Sequence, residues 1–280
     1  MAGQSGIDAE AWLEACRRMV AGQREIFAEV SGINARTDYE GIGEGGDRTL
    51  VIDRRCEDVA FAELERLHDE GHEFVAVSEE RGEVEFGAGA TTRVVIDPID
   101  GSMNARRTIP SYGLSVAVAS GTSMADVEFG LVHDFGADEE FTAVRGEGVR
   151  LGGEPVVVER PYPGLEVVGV ESASPERVGP IADALQGEAY RLRAIGSIAI
   201  NLAYVAVARF DAMLSGRHCR SVDAAAGQLI VREAGGLAAF GELDLADAPL
   251  GLDARYAIAA ALDAEGLETV LGVQRRTGSL

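Results

Sequence analysis

Val94-Val95-Ile96-Asp97-Pro98-Ile99-Asp100-Gly101-Ser102-Met103-Asn104 joins a strand to a helix start through two carboxylates. The β-branched run Val94-Val95-Ile96 predicts a buried strand, because such side chains fit a pleated, packed surface. Pro98, between Asp97 and Asp100, cannot continue a sheet ladder. Gly101 lets the backbone turn sharply, and Ser102 is a good first residue for a helix. The segment thus brings two hard anionic oxygens to a set of backbone N–H donors. That combination suits a divalent cation holding a phosphate.

Upstream, Trp12, Cys16, Met19, Val20, Ile26, Phe27 and Val30 recur at helical spacing in the first thirty residues. A glycine loop, Gly41–Gly46, is followed by a strand-like piece from Thr49 to Ile52. Asp53 then reads as the cap of a helix ending near Asp69. Phe74–Val77 predicts a short strand leading to Ser78-Glu79-Glu80. Downstream, Ser111–Ala119, Phe129–Phe135 and Glu140–Val144 predict further strands, and Gly146, Gly148, Gly152 and Gly153 mark turns. Past Gly153 the pattern becomes a strand at Val167–Val170 and a helix at about Pro175–Leu185. A long apolar helix follows, Ile198–Arg209, opened by Gly196-Ser197. A strand at Asp211–Ser215 precedes a helix at Ala224–Ala234, opened by Asp223. We expect an α+β region with an antiparallel sheet and most of the metal ligands over residues 1–153. Residues 154–280 should form an α/β region that supplies the last ligand and substrate contacts.

The 280 residues suffice for a sizeable core, with 46% hydrophobic content. No run of eighteen apolar residues predicts a membrane span, and the N-terminus has no basic-then-apolar leader pattern. Cys16, Cys56 and Cys219 lie far apart without metal-ligand spacing, as expected of reduced thiols in a cytoplasm. A net charge of −22 argues against a nucleic-acid surface. It also repels an anionic substrate, so a bound cation or local arginines must reverse the sign at a site. All 25 basic residues are arginine. Without lysine, a Walker A loop and Schiff-base chemistry are both excluded.

Glu79, Asp97, Asp100 and Asp223 each stand at a strand end or a helix start. Burial there is costly for a carboxylate without a cationic partner. One alone is explained as a cap, and Asp223 fits that description; four at separate element ends point to a shared metal site. Ala224-Ala225-Ala226-Gly227 leaves the first turn after Asp223 almost free of side chain. That allows close packing against a neighbour, or the approach of a metal and substrate to the helix end.

The order and spacing of Val77-Ser78-Glu79-Glu80, Asp97–Asn104, Gly196-Ser197, Val222–Gly227 and Glu233-Ala234-Gly235-Gly236 resemble a known family. It is that of the magnesium-dependent, lithium-sensitive phosphatases typified by inositol monophosphatase and fructose-1,6-bisphosphatase. Ser102 and the Ser-Glu-Glu spelling look most like its archaeal-type, dual-activity branch. The resemblance implies a layered αβαβα sandwich of the sugar-phosphatase type with two or three Mg²⁺ ions, for which Mn²⁺ can substitute. Glu79, Asp97 and the Ile99 carbonyl would hold one ion, and Asp97, Asp100 and Asp223 a second. Glu79 and Ser102 would orient the attacking water, and Gly101 and Ser102 N–H groups the phosphate. Asp47 and Asp53 would help with a third ion beneath a Gly41–Gly46 lid, giving Asp53 a catalytic part. Asp100, Gly196, Ser197, Arg193 and Asp223 would complete the substrate site. A homodimer and a small phosphorylated metabolite are further implications.

The chain departs from the family pattern at three points. Ala105 replaces an aromatic residue, Val222 a tryptophan, and no glutamate near Ser215 matches the one that grips inositol hydroxyls. These weaken the case for inositol phosphate and keep fructose bisphosphate, histidinol phosphate and phosphoadenosine phosphate open. Other classes compatible with the residues are a non-catalytic phospho-ligand or metal sensor and a two-ion nuclease; the acidic charge opposes the last. Gly41-x-Gly43-x-x-Gly46 spells a dinucleotide fingerprint but follows no apolar strand, so it reads as a loop. The arginine pairs Arg106/Arg107, Arg191/Arg193 and Arg217/Arg220 flank the motifs and are candidate phosphate contacts. His68, His72, His133 and His218 show no ligand spacing.

Overall fold

The computed structural model describes residues 7–30, 39–42, 48–159, 163–172 and 174–280. Its elements begin with α1 (Ala9–Glu29), β1 (Tyr39–Ile42), β2 (Arg48–Leu50), α2 (Val51–Asp69), β3 (Phe74–Ser78), β4 (Gly82–Phe86) and β5 (Arg93–Asp100). They continue with α3 (Ser102–Arg107), β6 (Gly113–Ala119), β7 (Val127–Asp134), β8 (Glu139–Val144), β9 (Gly148–Leu151) and β10 (Glu154–Pro155). The remainder is β11 (Leu165–Glu171), α4 (Pro175–Ala184), β12 (Ala189–Arg193), α5 (Ile198–Ala206), β13 (Ala212–Ser215), α6 (Ser221–Glu233), β14 (Leu237–Ala239), β15 (Ala259–Ala261) and α7 (Ala264–Thr277).

Two large sheets organise the described residues, with β1 and β2 forming a separate antiparallel pair. The first runs β10-β9-β8-β7-β6-β5-β3-β4, with β3 parallel to β5 and β5 antiparallel to β6. The second runs β12-β11-β13-β15-β14, parallel among β12, β11 and β13 and antiparallel beyond. Alternation along each strand assigns the faces. Ala76, Val94, Ile96, Val116 and Val118 pack against Trp12, Met19, Phe61 and Leu64 of α1 and α2. Their neighbours Val77, Val95 and Ala117 face the other way, against Leu202 of α5 and Leu229 of α6. Beyond those helices lies the second sheet, whose far face packs Val168, Val170 and Leu214 on Ile181 of α4 and Val270 of α7. The order helix, sheet, helix, sheet, helix is the expected αβαβα sandwich.

Local physics explains the helices. Asp8 caps α1 by accepting from the Ala11 N–H at 3.1 Å. α5 is buried on nearly every side because it lies between two sheets, and its apolar circumference reflects that. α6 sits beside it, and a side chain at Gly227 would come within 2.6 Å of Leu202. The small residues after Asp223 therefore serve close helix packing.

Several boundaries differ from the sequence reading. Asp53 and Asp223 do not cap their helices; each is the third residue of its helix, since α2 starts at Val51 and α6 at Ser221. Strand β2 ends at Leu50, two residues earlier than Thr49–Ile52 implied. α5 stops at Ala206, and Ala208 takes a positive φ that breaks the helix before Arg209. The Gly41–Gly46 loop and Asp47 lie outside the described residues, apart from Gly41 and Ile42 at the end of β1.

Candidate metal centre

β5 does not stop at its proline. Asp97 stands opposite Ser115 and Asp100 opposite Gly113, so three steps on β5 answer two on β6. This is a β-bulge, and Pro98 sits in it, where a missing N–H costs no ladder bond. In a regular strand, residues three apart point to opposite faces. The extra residue cancels that alternation and turns Asp97 and Asp100 the same way. Within the bulge the Ile99 N–H donates to Asp97 Oδ1 at 2.9 Å, which fixes the carboxylate.

Gly101 ends the strand at φ 90°, and a side chain there would meet the Ser111 and Gly196 carbonyls at 2.9 and 3.0 Å. The short helix α3 follows. From it, Asn104 donates to the Ser111 and Ile195 carbonyls at 2.7 and 2.6 Å, tying α3 to the turn before α5. That turn grips the second aspartate: the Ser197 hydroxyl and the Ala199 N–H both donate to Asp100 Oδ2, at 2.7 and 2.6 Å.

Asp223 arrives from α6. Its carboxylate accepts from the Arg220 N–H at 2.8 Å, the back-bond of a helix's third residue to its cap. Oxygens of Asp97, Asp100 and Asp223 all lie within 4.8 Å of one another, two of these residues buried and the third half-buried. Glu79, just past the end of β3, is not one of those three but stands close enough for its charge to act on Asp97, and it is paired with the Arg220 guanidinium. A cleft of about 150 Å³ beside them is lined by Asp53, Glu79, Glu80, Asp97, Pro98, Ile99 and Ser102.

Crowding like charges in a buried place pushes protons on. Burial and then the neighbouring Asp100, Glu79 and Asp223 raise the Asp97 carboxyl well above its ordinary range. Asp100 is raised by burial and Asp223, against the lowering effect of its Ser197 and Ala199 bonds. Glu79 is pushed up to about 7, mainly by burial, although Arg220 opposes this. Burial raises Asp223 too, while Arg220, Arg217 and Arg255 pull it down.

The structure therefore brings Glu79, Asp97, Asp100 and Asp223 together and lines the adjoining cleft with Asp53, Ile99 and Ser102. Gly101 begins α3 beside them. Ser197 touches Asp100. The Gly196 N–H is spent on Glu171 at 2.9 Å. Arg193 is exposed, with its guanidinium on the Leu192 carbonyl.

Sequence reasoning missed Glu171, a buried carboxylate that also accepts from Asn201 Nδ2 at 2.6 Å and thereby orders the turn holding Asp100. Its signal was present, since it too ends an apolar strand, Val167–Val170. It also missed Glu57, buried one helical turn beyond Asp53, which accepts from the Ser78 hydroxyl next to Glu79.

An all-oxygen donor set with mutually raised proton affinities is what a hard divalent cation relieves. Oxygens facing each other across Mg²⁺ stand about 4.2 Å apart. The observed limit of 4.8 Å needs only a small contraction. The residues fit such an ion.

Comparison with known proteins identifies the family. The inositol monophosphatase family model matches residues 8–272. A fructose-1,6-bisphosphatase/inositol-1-monophosphatase of Thermococcus kodakarensis is 33% identical over 227 residues, 81% of this chain and 82% of that protein. One from Methanothermobacter thermautotrophicus is 30% identical, covering 93% and 95%. A crystal structure of an inositol monophosphatase–fructose 1,6-bisphosphatase superposes with TM-score 0.81 at 27% identity, over 94% of this chain and 99% of that one. The chain belongs to the inositol monophosphatase family, and with it to the phosphoric monoester hydrolases.

Proposed function

We propose that this chain is a Mg²⁺-dependent phosphomonoesterase acting on a small sugar or inositol phosphate, with inositol monophosphate and fructose-1,6-bisphosphate as first candidates. The observation that carries this reading is the convergence of Asp97, Asp100 and Asp223 within 4.8 Å, beside Glu79 and an open cleft. Two relatives carry both activities in their names. Glu79, Asp97 and the Ile99 carbonyl are assigned to one ion, and Asp97, Asp100 and Asp223 to a second. Asp53, on the cleft wall, is assigned to a third. Mn²⁺ is an acceptable substitute for a set of carboxylate oxygens.

When bound, Mg²⁺ supplies Lewis-acid neutralisation of the phosphoryl oxygens and makes water a nucleophile at neutral pH. The protein's own groups do the rest. Glu79 and the Ser102 hydroxyl, both on the cleft wall, would orient the attacking water. The Gly101 and Ser102 N–H groups orient the phosphate. Ser197 and the Ala199 N–H keep Asp100 aimed. In a chain of net charge −22, Arg217, Arg220 and Arg255 around Asp223 supply local positive potential for an anionic substrate. The three cysteines are buried free thiols, which suits a reducing compartment. No helix among the described residues is long and apolar enough to cross a membrane. We take the working form to be a cytoplasmic homodimer.

The test is phosphate release by purified protein from four substrates with Mg²⁺: inositol 1-phosphate, fructose 1,6-bisphosphate, histidinol phosphate and 3′-phosphoadenosine 5′-phosphate. Turnover of either of the first two supports the proposal. Turnover of the others alone moves the substrate assignment, and no turnover of any defeats the phosphatase reading.

A further inference from the structure

We propose that Arg220 sets how tightly the centre holds its cations, by competing with them for Glu79. This rests on reading the acidic set as a metal centre, and concerns a residue that such a centre does not require. The guanidinium of Arg220 is paired with Glu79 Oε1, and both side chains are largely withdrawn from solvent, at 16% and 21% exposure. Screening of this pair is therefore weak. Its position is pinned from behind, because the backbone N–H of Arg220 holds Asp223 at 2.8 Å. One residue thus touches two of the four acids, through its charge and through its backbone.

Among the described residues, no other arginine is paired with Glu79. Arg81, next along the chain, is turned away to Asp58 and Glu57 and lies over the Phe61 ring at 4.3 Å. Glu79 cannot give its full charge to a guanidinium and to a divalent ion at once. A fixed positive charge beside a cation site also repels its occupant. Loading the centre must loosen the pair, so the pair lowers cation affinity. The backbone bond to Asp223 is independent of the side chain, which makes the two functions separable by mutation.

The experiment measures Mn²⁺ binding to the full chain by the resonance signal of free Mn²⁺, together with thermal melts in EDTA, for wild type, Arg220→Gln and Arg220→Lys. Gln removes the charge and keeps the backbone bond. Arg220→Gln should bind Mn²⁺ about tenfold more tightly, a change of ~1.4 kcal/mol, and melt lower in EDTA. Arg220→Lys retains the charge and should bind Mn²⁺ within about twofold of wild type. Unchanged or weaker binding by Arg220→Gln overturns the proposal. So does a Lys variant that tightens as much as the Gln variant, because charge would then not be the cause. Wild type that binds no Mn²⁺ overturns the metal centre and this inference together. Wild type that binds Mn²⁺ but releases no phosphate overturns the phosphatase reading alone.

Discussion

Two groups of acidic side chains in this molecule meet opposite circumstances. Around β8, each acid has its own arginine: Glu140 with Arg17, Glu139 with Arg209, and Asp138 with Arg24. There the Arg209 hydrogen bond holds the Glu139 carboxyl below its usual range. At the end of β5, Asp97, Asp100, Asp223 and Glu79 crowd together, and every one is raised. Arg220 is the guanidinium paired there with Glu79. With 47 acidic residues and 25 arginines, composition cannot distinguish the two groups. Local cation supply does. Paired acids are structural, and acids left short of cations mark where an external cation is wanted.

The harshest way to break this contrast is to neutralise one acid in the deficient group. Asp97→Asn keeps an oxygen for the Ile99 N–H but removes a charge from the crowd. Metal-dependent phosphate release should fall by on the order of a thousandfold or more. The same variant should melt higher than wild type in EDTA, by about 1 kcal/mol of stability or more, since a buried repelling charge is gone. Full activity or a lower melting point in EDTA would show that the group is not cation-deficient.

Backbone support for the deficient group comes next. Gly101→Ala forces a side chain into φ 90° and against two carbonyls. It should cost ~1–3 kcal/mol in denaturant unfolding and depress activity further by misplacing Asp100. Wild-type stability in this variant would mean that the turn is not constrained as described.

The two groups should then respond to pH with opposite signs. For Glu79, the folded carboxyl titrates near 7 and the unfolded one in the ordinary range. The folded state therefore holds more protons between those values, and stability in EDTA should rise as pH falls through that window. Cation affinity should weaken by about tenfold per unit over the same range, because ligands must be deprotonated. Glu139, lowered in the folded state, contributes stability that is lost only as pH falls below the ordinary carboxylate range. Melting curves against pH, with and without Mg²⁺, separate the two. The smallest effect belongs to the paired group: Glu139→Gln should cost ~0–1 kcal/mol and leave phosphate release unchanged.

Much of the fold was legible where local pattern and tertiary role agree. The heptad-like spacing from Trp12 to Phe27 and the β-branched runs of β3, β5 and β11 specify buried faces by themselves. β1, β4, β9, β10, β12, β14, β15 and α7 were not read, and Gly148, which reads as a turn, opens β9. Gly82–Phe86 is a hairpin return with exposed glutamates, and β15 consists of three alanines, which have no intrinsic preference for a strand. Only pairing with β13 and β14 makes it one. Gly266 and Gly272 dilute the helical signal of α7.

By itself, the order of residues determined which groups were available: hard oxygen donors at element ends, no lysine, thiols without ligand spacing, and strands sound enough to carry the acids into the interior. These follow from side-chain chemistry and short-range periodicity. Whether Asp97 and Asp100 face the same way depended on the bulge at Pro98, which exists only against β6. Whether Asp223 joins them, and whether an arginine reaches Glu79, depended on α6 lying across β5 and β6. The bulge is decided by pairing within the sheet, and the last two relations, which span more than a hundred residues of chain, by packing between layers; none follows from a local preference.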